Sequence, residues 1–307
     1  MIVRDRPSAI RLLLSLRGSI LGDIWKPLVF SIAVATAITL LGGRILGVKV
    51  HLDVAPFTLI GMTLAIFLGF RNNVCYDRYW EGRKLWGELA IACRNLARQV
   101  STLMTLPADE TAVSRDLVYR IIAIPHAMRH ELRGSSPTQD LQAFVDAETL
   151  ERVCAARSPT TALIADTARR LRTCRERGWI DNVLATLMET QLAHIGTAFG
   201  GCERIKTTPV PFAYTLLMHR TIFIYCVLVP FGLLDSCGMA TPLIAAVLAY
   251  TFFGLDAVGT QIEEPFGTLP YALPLSAVCR AIEIDLREAL GETDVPPPLQ
   301  PVNYVLS

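Results

Sequence analysis

Charge is sparse in this chain of 307 residues. Asp, Glu, Lys and Arg make up 19% against 52% hydrophobic residues, and the formal net charge is only +1. So even a balance leaves no basic field to draw a polyanion, and no nucleic-acid partner is expected. Cysteine is scattered. The eight residues, Cys75, Cys93, Cys154, Cys174, Cys202, Cys226, Cys237 and Cys279, form no C-x-x-C pair and no zinc-ligand spacing. This argues against a disulfide framework or a metal knuckle and leaves the thiols as small packing residues. Catalytic signatures are missing as well, with no G-x-G-x-x-G, no G-x-x-x-x-G-K-[ST] and no G-x-S-x-G. No enzyme activity, cofactor or resident metal is expected. Strand-like alternation is scarce and no internal repeat is visible, which leaves an all-α reading. The N-terminus has scattered Arg and no cleavage site after an apolar core, so no signal peptide is expected.

Apolar sequence is what the chain has in abundance, and its mean hydropathy is +0.40. Four runs match the roughly 17 to 25 residues that cross a bilayer as helix. They are Pro27 to Leu46, Val54 to Phe70, Pro211 to Leu234 and Thr241 to Val258. Residues 1–26 precede them as an N-terminal segment whose Ser8 to Leu21 stretch reads as an amphipathic helix lying on the inner membrane face. The chain then divides into a first membrane pair (27–70), a helical cytosolic region (71–208), a second membrane pair (209–259), and a C-terminal helix with an extended tail (260–307). Basic residues crowd before the first run (Arg4, Arg6, Arg11, Arg17, Lys26) and after the second (Arg71, Arg78, Arg83, Lys84), whereas the outer turns hold only Arg44 and Lys49. The positive-inside rule then puts both termini in the cytoplasm, on a multi-pass protein of the inner membrane in contact with lipid.

Within the polar region, Thr111 to Leu132, Leu141 to Val153, Thr160 to Arg175 and Val183 to Cys202 read as helices. Leu85, Leu89, Ala92, Leu96 and Val100 continue a helical face out of the second run. Pro296, Pro297, Pro298 and Pro301 keep the tail from being a helix, and it is either a strap on a neighbouring subunit or a loose terminus. His126 and His130 stand one helical turn apart, but without the Glu of H-E-x-x-H they read as solvated helix surface rather than metal ligands. Gly43 and Gly47 fit either a close helix approach or a turn. His219 and Arg220 are ionisable residues within an apolar run, where such groups face a partner or water. Arg220 is expected to pair with Asp256, as structural glue or as part of an ion path. Met62, Ile66 and Phe70 follow i, i+4, i+8 and stack along one helix face, which by itself meets lipid, protein or a pore equally well.

The segments APFTLIGMTLAIFLGFRNNVCYDRYWEGRKLWGEL, GGCERIKTTPVPFAYT with the following HRT, and QIEEPFGT stand in this order along the chain. In these the chain resembles the bestrophins over nearly its full length. The resemblance implies a homopentameric channel with four spans per subunit, a helical cytosolic bulk and an axial pore for small monovalent ions. It places the apolar pore neck at Met62, Ile66 and Phe70, and a second constriction at Val183, with Ile180 as the alternative. Arg71, Asn72 and Asn73 would then support the inner mouth of the pore, the two Asn residues through hydrogen bonds or through helix packing. An apolar ring needs no charge to act as a gate, because an ion cannot shed its water there and a narrow ring dewets.

Two departures from the animal pattern stand out. IEEPFGTLPYALPL has Thr268, Leu269, Pro270, Tyr271 and Leu273 in place of an acidic run, too few carboxylates for a hard cation, so no calcium clasp is expected. Glu263 and Glu264 are left to cap a helix end or to pair with Arg. The neck carries Met62 for a branched aliphatic residue and Ile66 for an aromatic one. The missing clasp resembles prokaryotic members, and cations such as Na+ are the expected cargo. Chloride or another anion is the alternative, and a non-conducting scaffold or a transporter the reading from another class.

Overall fold

The computed structural model describes residues 1–3, 15, 18–45, 48–49 and 52–307. These residues are helical apart from turns, a few bridges and one two-residue hairpin, and they divide into two compact units. One unit holds the described residues from Ser15 to Tyr79 and Pro209–Glu264. The other holds Trp80–Thr208 and Pro265–Ser307, with Met1, Ile2 and Val3.

The first unit contains α1 (Leu21–Leu40), the hairpin β1 (Arg44–Ile45) and β2 (Val48–Lys49), the start of α2 (Val54–Leu103), α8 (Phe212–Cys237) and α9 (Thr241–Glu263). Leu21–Leu40, Val54–Leu103 and Phe212–Glu263 each have the length and composition to cross a membrane. The last of these contains both α8 and α9, separated only by a 3-10 turn at Gly238–Ala240. The first run differs from its expected bounds. Helix α1 begins at Leu21, so Pro27 lies inside it, and it ends at Leu40 because Gly42 and Gly43 take left-handed conformations, φ 60° and 73°. The Gly43 N–H donates to the Ile38 carbonyl at 2.9 Å and that of Gly42 to Thr39 at 3.1 Å, which satisfies carbonyls the helix end would leave open. Gly43 thus serves a turn. Gly47, His51, Arg4, Arg6, Arg11, Arg17 and most of Ser8 to Leu21 lie outside the described residues.

Helix α2 runs unbroken from lipid-type sequence into polar sequence, since its single Pro, Pro56, falls in the first turn where the missing N–H costs nothing. Leu64, Leu68, Ile222, Cys226, Ala249 and Phe253 form the centre of this unit. Hydrocarbon tails are as apolar as these side chains, so close fit rather than water exclusion holds such helices together. Two glycines permit that fit. A Cβ on Gly232 would stand 2.5 Å from the Phe57 ring, and one on Gly61 would stand 2.7 Å from the Tyr225 hydroxyl.

The second unit joins the rest of α2 to α3 (Thr111–Arg133), α4 (Thr138–Leu141), α5 (Ala147–Ala155), α6 (Pro159–Glu176), α7 (Asn182–Thr207) and α10 (Leu275–Ala289). Ser158 caps α6 by accepting from the Thr161 N–H, with Pro159 in the first turn. The helix expected over Leu141 to Val153 is instead two, α4 and α5. Phe144 and Val145 turn into the core between them, and Asp146 caps α5 by accepting from the Thr149 N–H at 2.9 Å. Arg120, wholly buried, donates to Asp116 at 3.0 Å, to Asp146 at 2.7 Å and to Asp166, so its charge is compensated where it would otherwise be prohibitive. The tail is non-helical and tied to its own chain. Val3 N–H donates to Tyr304, Leu306 N–H to Met1, and Ala277 N–H to Ser307, each at 2.8 Å. All eight cysteines are free, and only Cys154 and Cys237 are other than buried.

Candidate functional site

Helix α2 shows two faces within the first unit. Phe57, Leu64, Leu68, Arg71 and Cys75 are buried, a spacing of three, four and seven that follows one side of the helix. Met62 and Ile66 lie two residues before Leu64 and Leu68, about 200° around the axis and so nearly opposite. Met62, Ile66 and Phe70 are 60%, 52% and 61% exposed. Leu59, Ile60 and Phe67 extend this apolar surface, which water alone does not cover favourably.

The buried face carries one charge, Arg71, and the helices beside it supply the compensation. Arg71 Nη1 lies 2.5 Å from Asp256 Oδ1, with a weaker bond to the Asp256 carbonyl at 3.4 Å. Nη2 donates to Thr260 Oγ1 at 2.8 Å and stands 3.6 Å from Glu263 Oε2. Thr260 in turn donates to the Asp256 carbonyl at 3.0 Å. Asp256, Thr260 and Glu263 recur at helical spacing on α9, so one face of that helix presents all three. Asn72 Nδ2 donates to the Leu255 carbonyl at 3.1 Å, an approach that needs Gly259, where any Cβ would overlap the Asn72 amide. Asn73 is exposed. Tyr214 donates to the Phe67 carbonyl at 3.1 Å, pinning α8 to α2 just before Phe70.

The expected pairing of Arg220 with Asp256 is not what forms. Asp256 gives one oxygen to Arg71 and the other to His219, whose Nδ1 lies 3.0 Å from Oδ2. Neighbouring residues on a helix differ by about 100° in direction. His219 therefore faces α9 while Arg220 is exposed, and the Arg71 guanidinium already occupies the carboxylate. A sequence signal for Arg71 existed: it falls three residues after Leu68 and seven after Leu64, on the buried side. Glu263 pairs with Arg71, one of its expected roles, and Glu264 is exposed just past the end of α9.

In the second unit, Asp181 caps α7 by accepting from the Leu184 N–H at 2.7 Å, and Val183 in the first turn is 70% exposed. Ile180 is buried in the core. The two histidines of α3 are not solvated surface. His126 is buried, with Nδ1 3.5 Å from Asp140 and Nε2 3.9 Å from Glu283, and His130 Nε2 lies 3.0 Å from the same Asp140 carboxylate. His126, with His130 and Arg129, holds the Asp140 carboxyl well below the usual range. Among the described residues no cluster has the geometry of a metal site.

Apolar helices of spanning length, with the Arg71 charge sealed in an interhelical cluster, define an all-helical membrane protein. Residues 1–288 match the family described as Bacterial/Fungal Bestrophin protein, and the chain belongs to the bestrophins. It is 43% identical over 302 residues to the voltage-dependent anion channel-forming protein mll4386 of Mesorhizobium japonicum, covering 98% of this chain and 95% of that one. Against the voltage-dependent anion channel-forming protein YneE of Salmonella typhi it is 42% identical over 298 residues, 96% of each. A solved bacterial bestrophin homolog from Klebsiella pneumoniae superposes with a TM-score of 0.83 at 36% identity, over 88% of this chain and 99% of that one.

Proposed function

We propose that the protein is a bestrophin ion channel of the cell inner membrane, assembled as a homopentamer around an axial pore and passing small anions such as chloride. Each subunit contributes four spans, α1, the start of α2, α8 and α9. Five copies of α2 bring Met62, Ile66 and Phe70 to the axis as the neck, and Val183 forms a second constriction on the cytosolic side. Arg71 and Asn72 act from behind the neck by fixing α2 to α9, and Asn73 stays at the wet mouth.

The observation that carries this reading is the exposed stripe of Met62, Ile66 and Phe70, opposite the face that α2 buries. An apolar stripe directed away from the subunit's own core is what a shared axis requires. The Met1 amine donates to the Leu306 carbonyl, so both termini belong to one unit, in keeping with both lying in the cytoplasm.

The preference for cations such as Na+ finds no support, and the anion alternative fits better, because the matched relatives are named anion channel-forming proteins. The physical reason is that a missing acidic run removes a calcium site, which bears on how a pore opens and not on the sign of what crosses it. An uncharged neck sets no sign either. Purified protein in liposomes under a KCl gradient tests the reading: the reversal potential is expected near that of chloride. A potential near that of potassium would favour the cation reading, and no current at all would favour a scaffold.

A further inference from the structure

Arg220 stands eight residues after Phe212, the first residue of α8, and so about 12 Å along the axis of an apolar helix. A guanidinium at such a place is costly unless an anion compensates it. Among the described residues none does: His219 takes the contact with Asp256, and Arg220 is exposed without an ion pair. Lys26 on α1 is in the same position. It is exposed, forms no ion pair among the described residues, and holds its ammonium 5.8 Å from the ring centroid of Trp25, which is itself 54% exposed. The one acid near them, Asp23, is three residues before Lys26 and accepts from Gln261 of α9, so two cations against one carboxylate leave a positive charge in excess. Asp256 is turned into Arg71 and does not reduce that excess.

The seam between α1 and α8 brings the two cations together. Phe30 and Phe223 stack across it, centroids 5.7 Å apart and planes within 14° of parallel, and the Ser31 hydroxyl donates to the Cys226 carbonyl at 3.3 Å. Ser31 and Cys226 are buried in the seam, whereas the half-exposed phenyl pair marks its rim. Asp23 near the start of α1 and His219 near the start of α8 both meet the last turns of α9, so the two helices begin at the same end of this unit. Lys26 precedes Phe30 by four residues and Arg220 precedes Phe223 by three. At 100° and 1.5 Å per residue, Lys26 points about 40° and Arg220 about 60° outward from the rim, each about 5 Å nearer the helix starts than the phenyl pair. Packed helices stand about 8–10 Å apart, and both side chains are long, so a single headgroup can reach both charges. This side of α8 is also turned away from α2, since Tyr225, which packs on Gly61 of α2, is about 200° around the helix from Phe223.

We infer that Lys26 and Arg220, with Trp25, form a binding site for the phosphate of an anionic phospholipid in the cytoplasmic leaflet, whose acyl chain lies along Phe30, Phe223 and Ile224. The guanidinium forks onto phosphate oxygens, the ammonium adds a point charge, and an exposed Trp is at home among headgroups. Two cations on neighbouring helices suit a headgroup with two phosphates best, and basic pockets between spanning helices take such lipids. The choice of lipid over a second copy rests on the pentamer reading above: in a ring closed around α2, the α1 side of α8 is the periphery. Binding of lipid itself does not depend on conduction.

Native mass spectrometry of the full-length protein in non-ionic detergent, titrated with cardiolipin or with phosphatidylcholine, tests the site. Wild type is expected to retain cardiolipin in preference. Arg220→Gln and Lys26→Gln should each weaken that retention about fivefold and the double variant about 25-fold, with phosphatidylcholine unchanged. Arg220→Lys, which keeps the charge, should stay within about twofold of wild type, and Lys49→Gln, which removes a cation already paired with Asp235, should change nothing. A wild type without preference for cardiolipin, or an Arg220→Gln variant that retains it like wild type, overturns the inference. Release of the lipid by an equal concentration of inorganic phosphate overturns it in favour of a free anion, and loss of the oligomer in Arg220→Gln with lipid retention unchanged does so in favour of a second copy. Should Arg220→Gln fail to fold, Lys26→Gln and the wild-type comparison of the two lipids still decide. Chloride current enters none of these readouts, so a failure of the channel reading is seen separately from a failure of the lipid site.

Discussion

Removing the Asp256 carboxylate is the perturbation whose cost the geometry defines best. Asp256→Ala strips Arg71 of its 2.5 Å partner and His219 of the carboxylate beside its Nδ1, leaving a buried guanidinium to share Thr260 and a Glu263 carboxylate 3.6 Å away. Breaking one side of a buried pair costs about 3–5 kcal/mol, because the surviving charge stays desolvated. At roughly 2 °C per kcal/mol for a chain of this size, the unfolding midpoint should fall by about 6–10 °C. The assay is thermal loss of the oligomer peak in detergent, with Arg71→Met, Asp256→Leu and their double variant completing a cycle. An apolar pair of similar volume should recover most of the loss, since neither charge is then left unpaired. Arg220→Ala should move the midpoint little, because that side chain is exposed and not paired with Asp256. If Asp256→Ala were as stable as wild type, or if Arg220→Ala were as damaging, the cluster would not hold α2 to α9.

Three further outcomes are expected. Gly232→Ala should cost about 1–3 kcal/mol by forcing its new methyl into the Phe57 ring, read as a lower midpoint in the same assay. Asp146 accepts from the Thr149 N–H and from Arg120, which pull its carboxyl down to about 2; that stabilisation is complete above the unfolded value near 4 and is lost as pH falls toward 2. Wild type should therefore exceed Asp146→Ala in stability at pH 6, with the gap narrowing between about pH 4 and 2, as measured by intrinsic fluorescence during acid unfolding. A soluble maleimide at neutral pH should label Cys154 and Cys237 before any other thiol. Cys279, which burial pushes up to about 12, should react only once the protein is unfolded, and peptide mapping by mass spectrometry gives the order.

Much of the architecture was legible because hydropathy and punctuation act locally. The unbroken α2, the capped starts of α6 and α7, and the ends of α3 near Thr111 and Arg133 follow from periodicity, Ser158, Asp181 and Gly134. Where tertiary contacts decide, local reading went astray. Pro27 looks like a helix start but sits inside α1, and Leu141 to Val153 has one apolar period yet breaks because Asp146 can cap a new helix while Phe144 and Val145 fill the core. The histidines of α3 look like solvated surface only until α10 brings Glu283 beside His126. The same holds at the site. Nothing local tells which of His219 and Arg220 meets Asp256, nor that Asp256 finds its main partner 185 residues away in Arg71.

Cysteine at position 66 tests the pore geometry most directly. Ile66→Cys, reconstituted in liposomes and exposed to a small charged methanethiosulfonate, is expected to change its chloride current irreversibly within the exposure, while the wild type, with its own cysteines unchanged, does not respond. An Ile66→Cys current untouched by the reagent, with labelling of the thiol confirmed by mass, would contradict the assignment of Met62, Ile66 and Phe70 to a water-filled axis.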